Sequence, residues 1–310
     1  MEPPVQGYID PNFPNPMGDG DASIVIYGYT PSLALAALAV ALFVVALAAH
    51  VYLLTRHKTW YFTTVAVGTA MEIIGYIPRI LSSQKDPYRV AFFVIQVCPI
   101  SDRSLEMDVN ATQYFFIVVA PVLFSAAIYA TLSIMIGVYG RQYAPMSPKL
   151  ILWIFIVCDV VATIVQVAGA ALVGSAYSNR KDPTKFNHIL LAGLAFQVFS
   201  FAVFLAVLAW TLVKARKSPN KVSKSFIVAL VVATLAVYLR TCFRLAETAE
   251  GLMKTLSTHE VYFGCLEFAP IVVAVFVFIW WHPGRWLKGA VPREAEKDAA
   301  RGNMLQTAAV

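Results

Sequence analysis

Charge is scarce in this sequence. Charged residues make up 14% of its 310 residues, whereas hydrophobic residues make up 59%. A soluble domain carries about 25% charged residues. The mean hydropathy of +0.67 leaves too much apolar surface for one ordinary core. The composition therefore argues against a soluble globular protein and favours one whose solvent is lipid.

Several chemistry-bearing motifs are also absent. The chain has no G-x-x-x-x-G-K-[ST] for ATP, no H-E-x-x-H for zinc and no G-x-S-x-G nucleophile elbow. The four cysteines lack the spacing of a metal site or a disulfide framework, and the five histidines are scattered near predicted helix ends. We therefore expect no cofactor, no metal ion and no catalytic residues, and we do not expect an enzyme.

What is present is a series of long apolar runs. A membrane-spanning helix needs roughly 20 mostly apolar residues, and these runs are continuous, not alternating as in a barrel. The sequence predicts an all-α integral membrane protein, a bundle of seven transmembrane helices. The predicted spans are about Ser32–Leu54, Tyr61–Leu81, Tyr114–Val138, Leu150–Val173, Ile189–Val213, Phe226–Glu247 and Val261–Trp281.

The distribution of lysine and arginine predicts the orientation. With the N-terminus outside, the inner segments hold 14 of the 24 basic residues and the outer segments hold 7. We expect an extracellular polar tail at 1–31, a membrane domain at 32–288 and a cytoplasmic tail at 289–310, in a multi-pass protein of the plasma membrane. The net charge of +6 is mostly this asymmetry, so no nucleic-acid partner is needed to explain it.

One segment fits this pattern poorly. The outer loop 82–113 is long, and deleting Val97–Gln113 would leave a single uninterrupted apolar run. These 17 residues correspond to 51 nucleotides; Val-Cys can be encoded by GTATGT, a fungal-type 5′ splice site, and Gln by the 3′ end CAG. A retained intron is one hypothesis. The alternative is a genuine loop with a glycosylation acceptor at Asn110 in a glycoprotein.

Seven ionisable residues lie inside the predicted spans, where each costs roughly 2.5–3.5 kcal/mol at the membrane centre. Helical spacing places many of them on shared stripes, which we expect to face a common polar interior. The stripes are Glu72, Tyr76 and Arg79 on the second span; Tyr129 on the third; Asp159 and Gln166 on the fourth; Arg240, Arg244 and Glu247 on the sixth; and Glu260 and Glu267 on the seventh.

This interior is predicted to be a substrate-binding pocket that opens toward the outer leaflet. A purely structural role is the alternative, because interhelical polar contacts can simply hold helices together. The seven ionisable residues are four acids and three bases, which suggests that they pair with one another; they are Glu72, Asp159, Glu247 and Glu267, and Arg79, Arg240 and Arg244.

Six short motifs strengthen this interpretation by their order: "YGYTPS", "EIIGYIPR", "APVLFSAAIY", "DVVATIVQVAG", "RTCFRLAETAEG" and "HPG". Together, over roughly 26–288, they resemble the fungal lipid-translocating exporter family, which includes aminocholesterol-resistance proteins and sphingoid long-chain-base exporters. The insertion Val97–Gln113 departs from that family's pattern. Most of the stripe residues match the family's polar signature by position, and Glu267 stands where an acid, often Asp, is expected.

The resemblance implies a membrane exporter or translocase of amphipathic lipids or toxic small molecules, sphingoid-base-like or xenobiotic, that confers drug resistance. Its partners would be membrane lipids or amphipathic small molecules; protein partners cannot be read from the sequence. Two alternatives stay open at this point. Seven helices with an outer N-terminus also suit a receptor or sensor, and paired acids with arginine also suit an intramembrane lipid-modifying enzyme.

Overall fold

The computed structural model describes residues 10–12, 25, 29–84, 109–178, 184–219, 222–251 and 254–287. Over these ranges the chain is helical, without strands. Seven helices are long and apolar enough to cross a membrane, which confirms the predicted multi-pass all-α fold. The first six are α1 (Leu33–His57), α2 (Thr63–Gln84), α3 (Val109–Tyr139), α4 (Pro148–Ser178), α5 (Thr184–Ala215) and α6 (Lys224–Glu250).

The seventh span, Glu260–Trp286, is not one continuous α-helix. It begins with the helical turn Glu260–Tyr262, widens into the π-helical segment Phe263–Phe268 and continues as α7 (Ala269–Trp280). A short helix, Thr255–Thr258, precedes the span, and another, Pro283–Trp286, forms its end. The width of the π-helical segment becomes important for the polar site described below.

The helices form a closed ring in chain order. Each helix from α1 to α6 packs against the next, α6 packs against α7, and α7 returns to α1. Short connections, such as 58–62 between α1 and α2, make neighbouring helices antiparallel. In addition α3 touches α6 across the ring. This arrangement creates an interior onto which side chains from non-adjacent spans can project.

The outer surface of the ring is strongly apolar. Large side chains such as Trp153 and Phe199 are 61% and 67% exposed, and many valines and leucines accompany them. Exposed apolar area on this scale would be unfavourable in water and is what a lipid-facing surface requires. The largest fully buried side chains include Tyr129, Phe43 and Phe204.

Two predicted features fall partly or wholly outside the described residues. α3 begins at Val109, so the last five residues of the suggested intron are helical, while 97–108 lie outside the described part. Asn110 is in the first turn of α3, and its side chain also lies outside the description. The intron, the glycosylation, both tails and the orientation in the membrane stay predictions.

Glycine allows α4 and α5 to approach closely. A β-carbon at Gly169 would lie 2.6 Å from the backbone nitrogen of Leu190, which is closer than any real contact. The two backbones can therefore meet only because position 169 has no side chain, as is common between helices in membranes.

We expect Gly169→Ala to lower the free energy of unfolding by about 1–3 kcal/mol, because α5 must move away to accommodate the methyl group. Gly137→Ala on α3 is the matched control, since nothing lies within 4 Å of its added β-carbon. Thermal unfolding of both purified variants in detergent would measure the difference. Equal melting temperatures for the two variants would contradict the close α4–α5 contact.

Candidate functional site

A buried arginine joins acids from two other spans inside the ring. Arg240 on α6 is 3% exposed, and its Nη2 donates a hydrogen bond to Glu267 Oε1 at 2.9 Å. The same nitrogen lies 3.4 Å from Glu72 Oε1 on α2. One guanidinium therefore holds carboxylates from α2 and the seventh span against α6.

A second arginine extends these contacts toward the end of α6. Arg244 Nε lies 3.1 Å from Glu267 Oε2, and its Nη1 donates to Glu247 Oε2 at 2.9 Å. We call Glu72, Arg240, Arg244, Glu247 and Glu267 the arginine cluster. The predicted convergence of charged stripes on the second, sixth and seventh spans is therefore present in the geometry.

The arginine cluster does not satisfy all of its own polar atoms. Glu72 Oε1, Glu267 Oε2 and both Nε and Nη1 of Arg240 are buried without a hydrogen bond from the described residues. Buried donors and acceptors are almost always paired in folded proteins, and an unmade hydrogen bond costs about 1–3 kcal/mol. A cluster with paired charges and unused hydrogen-bonding capacity is chemically suited to receive a polar group.

The π-helical segment places Glu267 at the arginine cluster. At its end the Ala269 N–H bonds to Gly264 O, an i to i−5 contact, in place of the usual α-helical step. Pro270 follows directly; it has no N–H, and its ring would clash with the carbonyl four residues earlier in a regular helix. The wide turn accommodates this proline, and π-bulges of this kind are frequent at functional sites.

Arg79 is held at the same end of the bundle by Tyr29, which precedes the first span, and by residues at the start of the seventh span. Its Nη2 donates to the Tyr29 hydroxyl at 2.6 Å and lies 3.7 Å from Glu260 Oε1, while its guanidinium stacks 3.9 Å from the centre of the Phe263 ring. Glu260 also accepts the Ser32 N–H at 2.8 Å. These contacts fasten the segment before α1 to α2 and the seventh span.

The segment before α1 has its own polar support. The Thr30 hydroxyl donates to the Asp10 carboxylate and lowers the pKa of that acid. Burial raises the pKa of Tyr29, so its hydroxyl stays protonated beside Arg79. The "YGYTPS" motif therefore supplies hydrogen bonds that cover this end of the ring.

Tyr76 packs between the arginine cluster and Arg79. It is 5% exposed, and its ring centre lies 5.7 Å from those of Phe43 and Phe268 and 6.1 Å from that of Phe263. The predicted Glu72–Tyr76–Arg79 stripe thus faces inward along its whole length. Its three members contact different neighbours.

The polar residues of α4 lie apart from the arginine cluster. Asp159 accepts a hydrogen bond from the Tyr129 hydroxyl on α3 at 2.9 Å, and Gln166 donates to Gln197 on α5 at 2.9 Å. Among the described residues no ion pair joins Asp159 to the arginine cluster. The expectation of one shared interior needs correction here, because α4 packs between α3 and α5 on the other side of the ring.

Two residues outside the predicted site also shape it, Gln197 on α5 and Pro270 in the seventh span. Gln197 is the partner of Gln166, and a second glutamine within an apolar span was a signal for it. Pro270 shapes the helix around Glu267, and a proline within a predicted span was the corresponding signal. Neither signal specifies a partner without the packing of the helices.

Comparison with known proteins places the chain among fungal membrane proteins. A family model described as RTA1 like protein matches residues 100–290. The sphingoid long-chain base transporter RSB1 of Saccharomyces cerevisiae (strain Lalvin EC1118) is 28% identical over 301 residues, covering 84% of this chain and 74% of the relative. Protein RTA1 of S. cerevisiae is 26% identical, covering 82% and 83%. No solved structure matches the chain.

We expect Arg240→Met to destabilise the protein by about 3–5 kcal/mol, because Glu72 and Glu267 lose a cation that they share in a buried site. Arg244→Met is the comparison variant and should cost less, since its side chain is 26% exposed. Thermal unfolding in detergent would measure both.

Adding Glu72→Gln to Arg240→Met should recover part of the loss. Among the described residues Glu72 forms an ion pair with Arg240, so Arg240→Met leaves its charge without a partner. Glu267 keeps its ion pair with Arg244. A double variant no more stable than Arg240→Met alone would show that the Glu72–Arg240 pair is unimportant.

Proposed function

The chain belongs to the RTA1-like protein family, and from that premise we propose that it is a membrane exporter or translocase of amphipathic lipids or toxic small molecules. Sphingoid-base-like amphiphiles and cationic xenobiotics are the substrate class. Export of such molecules from the plasma membrane would confer resistance to them. The relative that is named a sphingoid long-chain base transporter supports this assignment.

The observation that carries the proposal is the charge of the arginine cluster. It contains three carboxylates, those of Glu72, Glu247 and Glu267, and two guanidiniums. With all five groups ionised, one negative charge is unmatched, and an unmatched charge inside a membrane is costly. The ammonium group of a sphingoid base would supply the missing positive charge.

The unused acceptor atoms of the arginine cluster favour the same class of ligand, and its unused donors, Nε and Nη1 of Arg240, suit the hydroxyl oxygens of that ligand. Glu72 Oε1 and Glu267 Oε2 lie 3.4 and 3.1 Å from arginine nitrogens, but neither buried oxygen accepts a hydrogen bond from the described residues. An ammonium group provides three donors, and the hydroxyl groups of a sphingoid base provide more. Its hydrocarbon chain would remain in lipid between helices, next to the apolar outer surface of the ring.

The position of the arginine cluster along the bundle suggests where the substrate enters or leaves. Arg244 and Glu247 lie in the last two turns of α6, at the end of the bundle where Glu260 begins the seventh span. The positive-inside distribution assigns this end to the extracellular side. We therefore propose that the arginine cluster opens toward the outer leaflet, beneath the contacts made by Arg79.

Glu72→Gln should reduce export of a sphingoid base by at least about tenfold, which corresponds to about 1.4 kcal/mol. The arginine cluster would then have two carboxylates and two guanidiniums, so its charges would balance and it would no longer attract an amine. Glu250→Gln is the matched control, since Glu250 is exposed at the end of α6 and outside the arginine cluster. Export of labelled sphingoid base from drug-sensitive yeast cells would be measured, with surface expression of each variant quantified.

An N-acetylated sphingoid base separates charge recognition from lipid recognition. It keeps the chain and hydroxyl groups but has no ammonium, so we expect little transport by the wild type. Equal export by wild type and Glu72→Gln would remove the proposed role of the arginine cluster. Equal transport of the base and its N-acetylated form would show that amine charge does not select the substrate.

A further inference from the structure

Asp159 is a buried acid that the arginine cluster does not use. Asp159 lies on α4 and is 1% exposed, and its Oδ2 accepts a hydrogen bond from the Tyr129 hydroxyl at 2.9 Å. Its other carboxylate oxygen, Oδ1, is buried without a hydrogen bond from the described residues. The carboxyl group therefore has one oxygen with a partner and one without.

Aromatic rings enclose Asp159's partner and keep the site apolar. The Tyr129 ring centre lies 5.5 Å from that of Phe155, 6.0 Å from Phe201 and 4.5 Å from Phe204. Tyr238 of α6 stacks on the far side of Phe201 at 5.7 Å. A carboxylate that is hydrogen-bonded to a tyrosine among these rings has few nearby dipoles to stabilise its charge.

No cation lies near Asp159 on the helices that pack against α4. The sequence of α3 contains no Asp, Glu, Lys, Arg or His between Val109 and Tyr139. On α5 the ionisable groups are Lys185, His188 and Lys214. Each is 12 or more residues from position 200, the point on α5 that lies opposite Asp159, which is roughly 18 Å along the helix. The titratable neighbours are therefore Tyr129, Cys158 on α4 itself and, behind Phe201, Tyr238.

A hydroxyl group on α5 lies at the level of Asp159. α4 and α5 are antiparallel, and close approaches pair Gly169 with Leu190 and Gln166 with Gly193. Continuing this register pairs Asp159 with Ser200. Ser200 is 5% exposed, and its Oγ is also buried without a hydrogen bond from the described residues. Two polar atoms with unused capacity therefore lie at one level of the α4–α5 interface.

We propose that Asp159 is a proton-binding site that exchanges a proton during the transport cycle, and this inference rests on the proposed export function. On uptake, an O–H bond of a hydronium ion breaks as the Oδ1–H bond of Asp159 forms, leaving water; release is the reverse reaction. Asp159 binds only the proton, while the arginine cluster binds the substrate amine.

Each protonation state has a hydrogen-bonding partner in this geometry. The ionised carboxylate accepts a hydrogen bond from the Tyr129 hydroxyl, and Ser200 Oγ, at the same level of α5, is the acceptor that we assign to the Oδ1 proton of the protonated acid. Protonation removes an uncompensated charge from an apolar site, so movement of the proton changes the local energy strongly. Coupling this change to helix packing would allow a proton gradient to drive export.

Infrared titration of the purified protein in detergent tests the proton site without transport. We expect a pH-dependent C=O stretching band of a protonated carboxyl group that is lost in Asp159→Asn and retained in the control Glu250→Gln. Tyr129→Phe should move the midpoint of this band to higher pH by about one pH unit, because the carboxylate loses its donor. Ser200→Ala should move it to lower pH, because the protonated acid loses its acceptor.

These two shifted variants keep the acid in place, so they test the proposal even if Asp159→Asn fails to fold. A band that persists in folded Asp159→Asn, or that neither Tyr129→Phe nor Ser200→Ala moves, would overturn the proposal.

Proteoliposomes with an imposed proton gradient test the coupling. We expect wild-type transport of sphingoid base to increase at least about fivefold with the gradient, and folded Asp159→Asn to transport at one rate with or without it. An undiminished gradient response in Asp159→Asn would overturn the coupling. If the wild type moves no sphingoid base at all, the proposed export function fails, and the infrared titration alone decides whether Asp159 binds a proton.

Discussion

The ion pairs of Arg240 with Glu72 and Glu267 are the interaction on which the interior of this bundle depends. In lipid, apolar side chains gain little by leaving the solvent, so helix association relies on packing and polar contacts. Here one guanidinium contacts carboxylates of α2 and the seventh span, which are not neighbours in the ring. The same groups that hold these helices together also form the proposed binding site, so variants of this site should affect stability as well as binding.

The π-helical segment is needed for this arrangement. Glu267 lies within the wide turn that precedes Pro270, and its two oxygens face Arg240 and Arg244. A regular helix through this segment would rotate Glu267 relative to the residues that follow. The irregular backbone still satisfies its own polar groups, because the Ala269 N–H bonds to Gly264 O within the segment.

The helices divide the polar residues between two regions. Glu72, Arg240, Arg244, Glu247 and Glu267 meet between α2, α6 and the seventh span, while Asp159 and Gln166 make hydrogen bonds with α3 and α5. Glycine at 169 brings α4 close to α5, and Gln166 bonds to Gln197 within that interface. Charge pairing in one region and an acid without a nearby cation in the other suit the two different roles proposed for them.

The sequence by itself determined the number of spans, their helical nature and the inward direction of the charged stripes, because these follow from hydrophobic length and a period of 3.6 residues. It also identified Arg240, Arg244 and Glu267 as members of one site, since buried charges of opposite sign must pair. Only the tertiary structure decided which stripes meet. The order of helices around the ring, the α4–α5 contact at Gly169 and the π-helical turn before Pro270 depend on packing between distant segments, and local periodicity carries no information about distance across the ring.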